Sequence, residues 1–209
     1  MTTITEEMLE GLRARVMRKI SPKRFGHTLA VEEMVARLCA LYCPEYTLRL
    51  RAAALLHDVT KELEACQQES LCREYGIEVG DEERASPKLY HARTAAEMIR
   101  AEYAEFADPD VISAVRWHTT GHAGMTLPEK LLYLADYIDE SRTFQNCVIL
   151  RRYFFGAAPE RMTQTEREAL LRDTLILSFD MTVRDLLEEG RSVAVDTVAA
   201  RNELILSTL

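Results

Sequence analysis

The sequence predicts an all-α protein, on three observations. Apolar residues recur at intervals of three and four through most of the 209-residue chain, which is the spacing of a buried helix face. The alternation of β-branched and polar residues that is typical of strands is nearly absent. Helix-start signatures appear at Ser21, Asp108 and Thr126, each followed within two residues by a proline. We therefore expect a helical bundle with little or no sheet.

In the first half of the chain, prolines and glycines mark where helices begin and end. Ser21 is a typical N-cap, and Pro22 suits the first helical position because the N–H that it lacks would be unpaired there. Pro44 ends the helix that they open. Gly76, Gly80 and the charged run at 81–84 predict a loop. The predicted helices of this half span about 22–41, 47–58, 63–75 and 89–103.

In the second half, capping residues define the helices. Asp108 opens one helix, and Thr126 with Glu129 matches a capping box that opens the next. Gly190 breaks the following helical pattern, and Asp196 is predicted to cap the last helix. The predicted helices of this half span about 109–117, 127–141, 163–189 and 196–206, with a loop at 119–124.

The whole chain, residues 1–209, is predicted to form one domain. Its core is expected at about 20–145, with the C-terminal helices at about 146–209 packing on it, because no linker divides the two segments. Apolar residues after Gly190 include Val195, Val198 and Leu204. They could pack on the core or on a second copy of the chain, so a homodimer stays open at this point.

The formal net charge of −8 limits the range of partners. An acidic surface repels phosphate backbones, which argues against nucleic-acid binding, whereas a metal ion and a few local cations can still hold a small phosphorylated ligand. The N-terminal segment lacks an apolar signal-peptide region, and no apolar run approaches the ~20 residues of a membrane helix. The five cysteines include no CxxC pair and are expected to be reduced thiols, several of them buried. We expect a cytoplasmic protein with no membrane partner.

The informative residues are four histidines and two aspartates that lie on or beside the apolar faces of five predicted helices. One buried histidine alone is more often a satisfied core residue than a ligand. Six buried ionisable groups are costly unless they share a partner, and a metal ion held between facing helices would satisfy them together. The six are His27, His57, Asp58, His91, His118 and Asp136.

The adjacent pair His57 and Asp58 is the most informative of these. Neighbouring helical residues point about 100° apart, so one metal can take a ligand from each, or the aspartate can reach a second metal or a bound water. Mixed imidazole and carboxylate ligands suit iron, manganese or zinc better than calcium. Such an ion activates water and neutralises phosphate charge. The sequence thus predicts a metal-dependent phosphohydrolase.

The order of these residues resembles the HD phosphohydrolase superfamily, with a histidine, a His-Asp pair and a later aspartate on separate helices. Further segments narrow the resemblance to the bacterial symmetrical bis(5′-nucleosyl)-tetraphosphatase family of HD type, over about residues 24–206. These segments are 24–29 (RFGHTL), 55–62 (LLHDVTKE), 117–121 (WHTTG), 129–138 (EKLLYLADYI) and 196–202 (DTVAARN). Enzymes of that family split diadenosine tetraphosphate into two molecules of ADP.

The resemblance implies a role for each matching residue. The implied metal ligands are His27, His57, Asp58 and Asp136, with iron as the expected ion, manganese or another divalent ion as alternatives, and a second ion at His91 and His118. The implied catalytic residues are Asp58, His91 and His118. The implied contacts with the nucleotide come from His27, Lys61, His91, His118, Thr119, Asp136 and Arg142. A stretch near 179–184 would approach the nucleoside.

Two positions depart from the family's pattern. Ala92 follows His91 where glycine is common, and Glu140 follows Asp139 where relatives often have proline, which leaves the aim of Arg142 open. The metal residues do not specify the substrate, so a nucleotidase, a dinucleotide phosphodiesterase and a nucleoside polyphosphate pyrophosphohydrolase are alternative enzymes. A nucleotide-binding helical module is the alternative without catalysis.

Overall fold

The computed structural model describes residues 3–207, and within that range it contains eleven α-helices and no strand. The helices are α1 (Glu6–Met17), α2 (Pro22–Tyr42), α3 (Thr47–Leu56), α4 (Ala65–Glu74), α5 (Asp81–Ala85), α6 (Tyr90–Glu102), α7 (Pro109–Trp117), α8 (Leu127–Ile138), α9 (Gln145–Gly156), α10 (Gln164–Glu188) and α11 (Val195–Leu206). Short 3₁₀ turns lie at Pro44–Tyr46, Pro87–Leu89, Ala104–Phe106 and Pro159–Arg161. The prediction of an all-α fold is confirmed.

The predicted helix starts are confirmed by their side-chain hydrogen bonds. Ser21 accepts a hydrogen bond from the backbone N–H three residues later at 3.2 Å, and Asp108 accepts one from Asp110 at 2.9 Å. Thr126 and Glu129 form the predicted capping box, with distances of 2.6 Å and 3.4 Å for its two hydrogen bonds. These bonds pair N–H groups that the first turn of a helix cannot pair internally.

Several local predictions were wrong. Residues 81–85 form the short helix α5 rather than a loop. Helix α8 ends at Ile138, before its predicted end, because Asp139 adopts an extended backbone with φ −60° and ψ 156°. The N-cap of α11 is Ala194, so Asp196 lies inside the first turn, where its charge still favours the helix dipole. Helices α1 and α9 had not been predicted individually.

Five helices form the centre of the fold. Helix α3 packs against α2 and α7, α8 packs against the same two helices, and α6 packs on α7. Fully buried residues between them include Leu50, Leu55, Ala114 and Leu131. The same five helices carry or immediately precede all six predicted ligand residues, so the walls of the core are also the walls of the site.

The later helices cover one side of this centre. Helix α9 packs on α8 and α10, and α10 also packs on α8 and α11. Leu204 is buried, whereas Val195 and Val198 are exposed. A single domain with this division, a homodimer and a cytoplasmic location stay predictions.

Two further expectations concern the cysteines and the membrane. Four cysteines are buried, as expected for several of them, and Cys66 is exposed. Among residues 3–207, no helix has both the length and the apolar character that crossing a bilayer requires.

Candidate metal centre

All six predicted ligand residues converge at the centre of the fold. Four of them, His57, Asp58, His91 and His118, are at most 2% exposed, and Asp136 is 9% exposed. They are delivered by α2 (His27), the end of α3 (His57 and Asp58), the start of α6 (His91), the end of α7 (His118) and α8 (Asp136). Residues at helical spacing on the apolar faces of five helices thus lie together in the tertiary structure.

The first half of this centre joins His27, His57, Asp58 and Asp136. The Nε2 atom of His27 lies 2.9 Å from Oδ1 of Asp136, and Nε2 of His57 lies 3.8 Å from the same oxygen. The Oδ2 atom of Asp58 lies 3.5 Å from His57 Nε2 and 3.9 Å from His27 Nε2. The ligand atoms of His27, His57 and Asp136 are close enough to one another to share one metal ion, and so are those of His57, Asp58 and His118.

The second half of the centre joins Asp58 to His91 and His118. The Oδ1 atom of Asp58 lies 3.3 Å from His91 Nε2 and 3.6 Å from His118 Nε2. Asp58 therefore directs one carboxylate oxygen toward each half. One carboxylate placed in this way can serve two ions, as in two-metal hydrolases.

Backbone hydrogen bonds orient three of the histidines. Each Nδ1–H donates to the carbonyl three residues earlier, at 2.6 Å for His57, 2.5 Å for His91 and 2.7 Å for His118. In that tautomer the lone pair of Nε2 points into the centre, as a metal ligand requires. The Nε2 atoms of His91 and His118 lie 3.0 Å apart, so their lone pairs repel unless a cation or a donor lies between them.

His27 is oriented by side chains instead of the backbone. Its Nδ1 atom lies 3.1 Å from Ser141 Oγ and 3.4 Å from Oδ2 of the fully buried Asp139. The other oxygen of Asp139 accepts the backbone N–H of Ser141 at 2.9 Å. Sequence reasoning did not assign these two residues. The one available signal was their position about one turn after Asp136.

The donor atoms fit a divalent transition-metal ion. His27 Nε2, His57 Nε2 and Asp58 Oδ1 are buried and lack a hydrogen-bond partner within residues 3–207. His27 and Asp136 are close, but their atoms do not have the angular geometry of a hydrogen bond. Unpartnered buried polar atoms are costly, and a cation bound between them would satisfy all three. Imidazole nitrogen with carboxylate oxygen is a donor set that iron, manganese and zinc accept.

Burial and neighbouring charges set the protonation of the histidines. Burial, with Lys61 nearby, lowers the pKa of His91 to about 4, and burial also lowers the pKa of His118. Both rings are therefore neutral at pH 7. Burial acts in the same direction on His27, but Asp136 and Asp139 outweigh it and raise its pKa to about 9. Metal binding at His27 would therefore displace a proton.

The two aspartates are ionised. Burial alone would raise the pKa of Asp58, but its contacts with His57 and with the Lys61 ammonium hold that pKa well below its usual range. Burial is likewise outweighed at Asp136, whose pKa is held well below its usual range by Arg142. Ionised carboxylates beside the neutral rings of His91 and His118 are already in the protonation states in which these groups bind metals, whereas His27 must first lose a proton.

Lys61 and Thr119 lie at the edge of the second half. The Nζ atom of Lys61 is 2.9 Å from His91 Nε2 and 3.7 Å from Asp58 Oδ1. The Thr119 hydroxyl is 3.2 Å from the Nε2 atoms of both His91 and His118. Both side chains place donors where an anionic group bound at the centre could accept them.

Two arginines contact the aspartates of the centre. Arg142 donates to the Asp136 carboxylate and, through Nε, to the Asp136 carbonyl at 2.8 Å. Its predicted contact with phosphate stays a prediction. Arg24 donates to Oδ2 of Asp58 at 2.8 Å. Arg24 lies in the sequence motif at 24–29, but its role could not be predicted, because helical spacing does not reveal a contact between α2 and the end of α3.

Three cavities border the centre. The basic cavity, about 440 Å³, is lined by residues that include Arg24, Lys61, Leu63, Ala65, Lys88 and His91. The C-terminal cavity, about 220 Å³, is lined by residues that include Lys61, His118, Thr119, Asp136, Tyr137 and Thr182. The outer cavity, about 590 Å³, is lined by residues that include Lys23, Arg24, His27, Glu62, Ser141 and Arg142. Within the segment 179–184, Thr182 reaches the C-terminal cavity, whereas Phe179 is fully buried.

Helix α11 holds the loop that follows His118. The Thr197 hydroxyl donates to the Thr120 carbonyl at 3.0 Å. The backbone N–H of Gly124 donates to the Glu203 carboxylate. These contacts fix both ends of the loop whose first residues border the metal centre.

Comparison with known proteins agrees with this geometry. The HD domain family model matches residues 24–141, more than half of the chain and the segment that contains all six ligand residues. The chain therefore belongs to the HD domain family. It is a hydrolase of that family, and HD domains bind divalent metals.

The similar proteins narrow the class further. A protein of Halalkalibacterium halodurans, named symmetrical bis(5′-nucleosyl)-tetraphosphatase, is 31% identical over 90% of this chain and 91% of its own length. A protein of the same name from Bacillus subtilis is 28% identical over 92% of this chain and 95% of its own length. A solved structure from Clostridium acetobutylicum, described as a predicted HD superfamily hydrolase involved in NAD metabolism, is 31% identical. It superposes with a TM-score of 0.81 over 95% of this chain and 97% of that one.

Proposed function

We propose that this hydrolase splits diadenosine tetraphosphate symmetrically into two molecules of ADP. The observation that carries the proposal is the complete ligand set of the metal centre, with Lys61 and Thr119 at its edge. The names of two relatives that match nearly the whole chain supply the substrate. The implied partner is a small dinucleotide and not a nucleic acid, in keeping with the charge of −8.

For the cofactor we propose iron, with manganese or another divalent ion as a substitute. His27, His57, Asp58 and Asp136 would hold one ion, and His91 and His118 would hold a second, with Asp58 between the two. When bound, such ions supply a Lewis acid that polarises phosphoryl oxygens and makes water a better nucleophile at neutral pH.

In this proposal the side chains of the centre divide the work of an in-line displacement. Asp58 keeps an ionised carboxylate between the two halves of the centre, where it can accept a hydrogen bond that orients the attacking water. The water oxygen forms a bond to one of the two central phosphorus atoms while that atom's bond to the shared bridging oxygen breaks. The bridging oxygen departs with the other half, the protons of the water pass to solvent, and the two fragments are both ADP.

The cationic and hydroxyl groups at the edge bind the polyphosphate. Lys61 and Thr119 would donate to phosphoryl oxygens on which charge increases during the reaction. Arg142 would contact the phosphates from its position beside Asp136, which it also keeps ionised. His91 and His118 stay neutral, so their contribution is a lone pair rather than a positive charge.

A second candidate substrate has support from one comparison. The Clostridium acetobutylicum protein is described by its involvement in NAD metabolism. NAD is also a dinucleotide, but two phosphates rather than four join its nucleosides. Hydrolysis of NAD would therefore need the same metal centre with a shorter row of phosphates bound across it.

A product assay separates these readings. The protein would be purified without chelator, loaded anaerobically with iron or manganese, and given diadenosine tetraphosphate or NAD, with nucleotides resolved by chromatography. The expected result is ADP alone from diadenosine tetraphosphate, lost in Asp58→Ala and kept in Asp173→Ala, a control on the partly exposed surface of α10. AMP with ATP from diadenosine tetraphosphate would reject the proposed cleavage position. AMP from NAD would favour the second candidate substrate. Binding without turnover would favour a non-catalytic module.

A further inference from the structure

We infer that the basic cavity holds the second nucleoside diphosphate half of the dinucleotide, so that the substrate crosses the metal centre from the C-terminal cavity into the basic cavity. This inference rests on the proposed function, because it concerns a substrate with two equal halves. It names a binding site for one of those halves and the residues that form it.

Symmetrical cleavage places a geometric demand on the site. The bond that breaks lies at the middle of the molecule, so two halves of equal length must extend from the metal centre in different directions. Each half carries two phosphates and a nucleoside. The centre must therefore border two separate cavities, each able to accept a nucleoside diphosphate.

The basic cavity and the C-terminal cavity border the centre at different ligand residues. The C-terminal cavity borders the centre at His118 and Asp136, and the basic cavity borders it at His91. Lys61 and Lys88 line both cavities, so the two adjoin each other beside the centre. The 440 Å³ of the basic cavity lies within the range of about 300–1,000 Å³ that is typical of small-ligand sites.

The charges of the basic cavity suit a polyphosphate. Arg24, Lys61 and Lys88 line it, and no carboxylate is among its lining residues in the described part of the chain. A cavity with this composition is unusual in a protein whose net charge is −8. Arg24 is anchored by its contact with Asp58, while its Nε atom is buried without a hydrogen-bond partner. Arginine in such a position can bind phosphate oxygens through its remaining N–H groups.

The outer cavity is larger but less suited to a second pair of phosphates. Its lining includes the carboxylate of Glu62, which is held in place by hydrogen bonds of 2.7 Å and 2.6 Å from the backbone and hydroxyl of Ser21. Of its cations, Arg24 is shared with the basic cavity, which has no carboxylate among its described lining residues.

Part of the lining of the basic cavity is apolar. Leu63, Ala65 and Pro87 form this part. Leu63 is half-buried, and the other two are exposed. A nucleobase could lie against these side chains while its phosphates lie near Arg24 and Lys61, which gives the cavity the apolar and polar parts of a nucleotide site.

The test blocks one cavity at a time. Ala65→Trp would fill the basic cavity from an exposed position in the first turn of α4, and Lys23→Trp would fill the outer cavity as the matched control. Ala65→Glu is the second variant, because it opposes phosphate by charge without adding a large ring. Calorimetry on manganese-loaded protein would measure the Kd of ADP and of the diadenosine tetraphosphate analogue whose central bridging oxygen is replaced by methylene.

The expected result is that the wild-type protein binds the analogue more tightly than ADP. Both Ala65 variants should then raise the Kd of the analogue by about tenfold or more, which corresponds to losing one charge-assisted hydrogen bond. The Kd of ADP and every property of Lys23→Trp should stay unchanged. The inference would be overturned if the wild-type protein bound the analogue no better than ADP. It would also be overturned if both Ala65 variants kept the wild-type Kd of the analogue, or if Lys23→Trp raised that Kd as much as they do.

Hydrolysis of diadenosine tetraphosphate, measured on the same proteins, tests the proposed function separately. If the analogue binds as expected but the wild-type protein releases no ADP, the proposed function fails and the binding site stands. If the wild-type protein releases ADP and the Ala65 variants do so with unchanged KM, the function stands and the inference fails.

Discussion

Replacing Gly121 with alanine is expected to destabilise the protein through two effects. Gly121 has φ +62°, in the left-handed region, where a side chain with Cβ costs about 1–2 kcal/mol. A Cβ at this position would also lie 2.8 Å from Cζ of Phe179, whose ring is fully buried. Forcing an additional methyl group into a packed core costs about 1–3 kcal/mol. The expected loss in the free energy of unfolding is the sum, about 2–5 kcal/mol.

Gly124→Ala is the matched control in the same loop. Its φ of +82° imposes the backbone effect, but no atom lies within 4 Å of the added Cβ. In urea denaturation, with equal m-values, Gly121→Ala should therefore lose about 1–3 kcal/mol more than Gly124→Ala. Equal losses in the two variants would refute the packing argument. A further check is the Phe179→Leu background, in which the cost of Gly121→Ala should fall because the smaller side chain removes the close contact.

Three further predictions concern the metal centre and its supports. Removing the ion with a chelator should abolish hydrolysis and lower Tm, because the ion binds the folded chain through His27 and His57. An unchanged Tm in calorimetry would contradict metal binding at these residues. Asp139→Asn should weaken metal affinity by about 10–100-fold, because a neutral amide orients His27 less strongly than a carboxylate does. If the variant retained the ion on dialysis as well as the wild-type protein does, this positioning role would be excluded. Glu129→Ala should lower the free energy of unfolding, measured in urea, by about 2–4 kcal/mol. The reason is that the buried carboxylate accepts hydrogen bonds from the Thr126 N–H and from two side-chain donors. A loss below that of an ordinary surface variant would show that these bonds contribute little.

The predictable part of this structure is the part that depends on local signals. Ser21, Asp108 and Thr126 cap helices in the structure as they do in the sequence pattern, because a cap is decided within four residues. The inward placement of His57 and His118 followed from apolar neighbours at helical spacing. Neither inference required knowledge of how the helices pack.

The rest depends on contacts between distant parts of the chain. Arg24 reaches Asp58 across 34 positions, and no periodicity within α2 reveals that contact. Asp139 ends α8 and supports His27, although its sequence position resembles an ordinary continuation of the helix. The cap at Asp196 was wrong because a typical capping residue lies two positions inside the helix that begins after Ala194.

The clamp of α11 on the loop after His118 has a consequence for how the protein matures during translation. All six ligand residues emerge from the ribosome before Thr197 and Glu203, which fix that loop through Thr120 and Gly124. A nascent chain that stops short of α11 would carry a full set of ligands around a loop not yet held in place. We therefore expect a stalled chain to bind the ion loosely, and tight retention to begin only once the final helix has left the exit tunnel and docked.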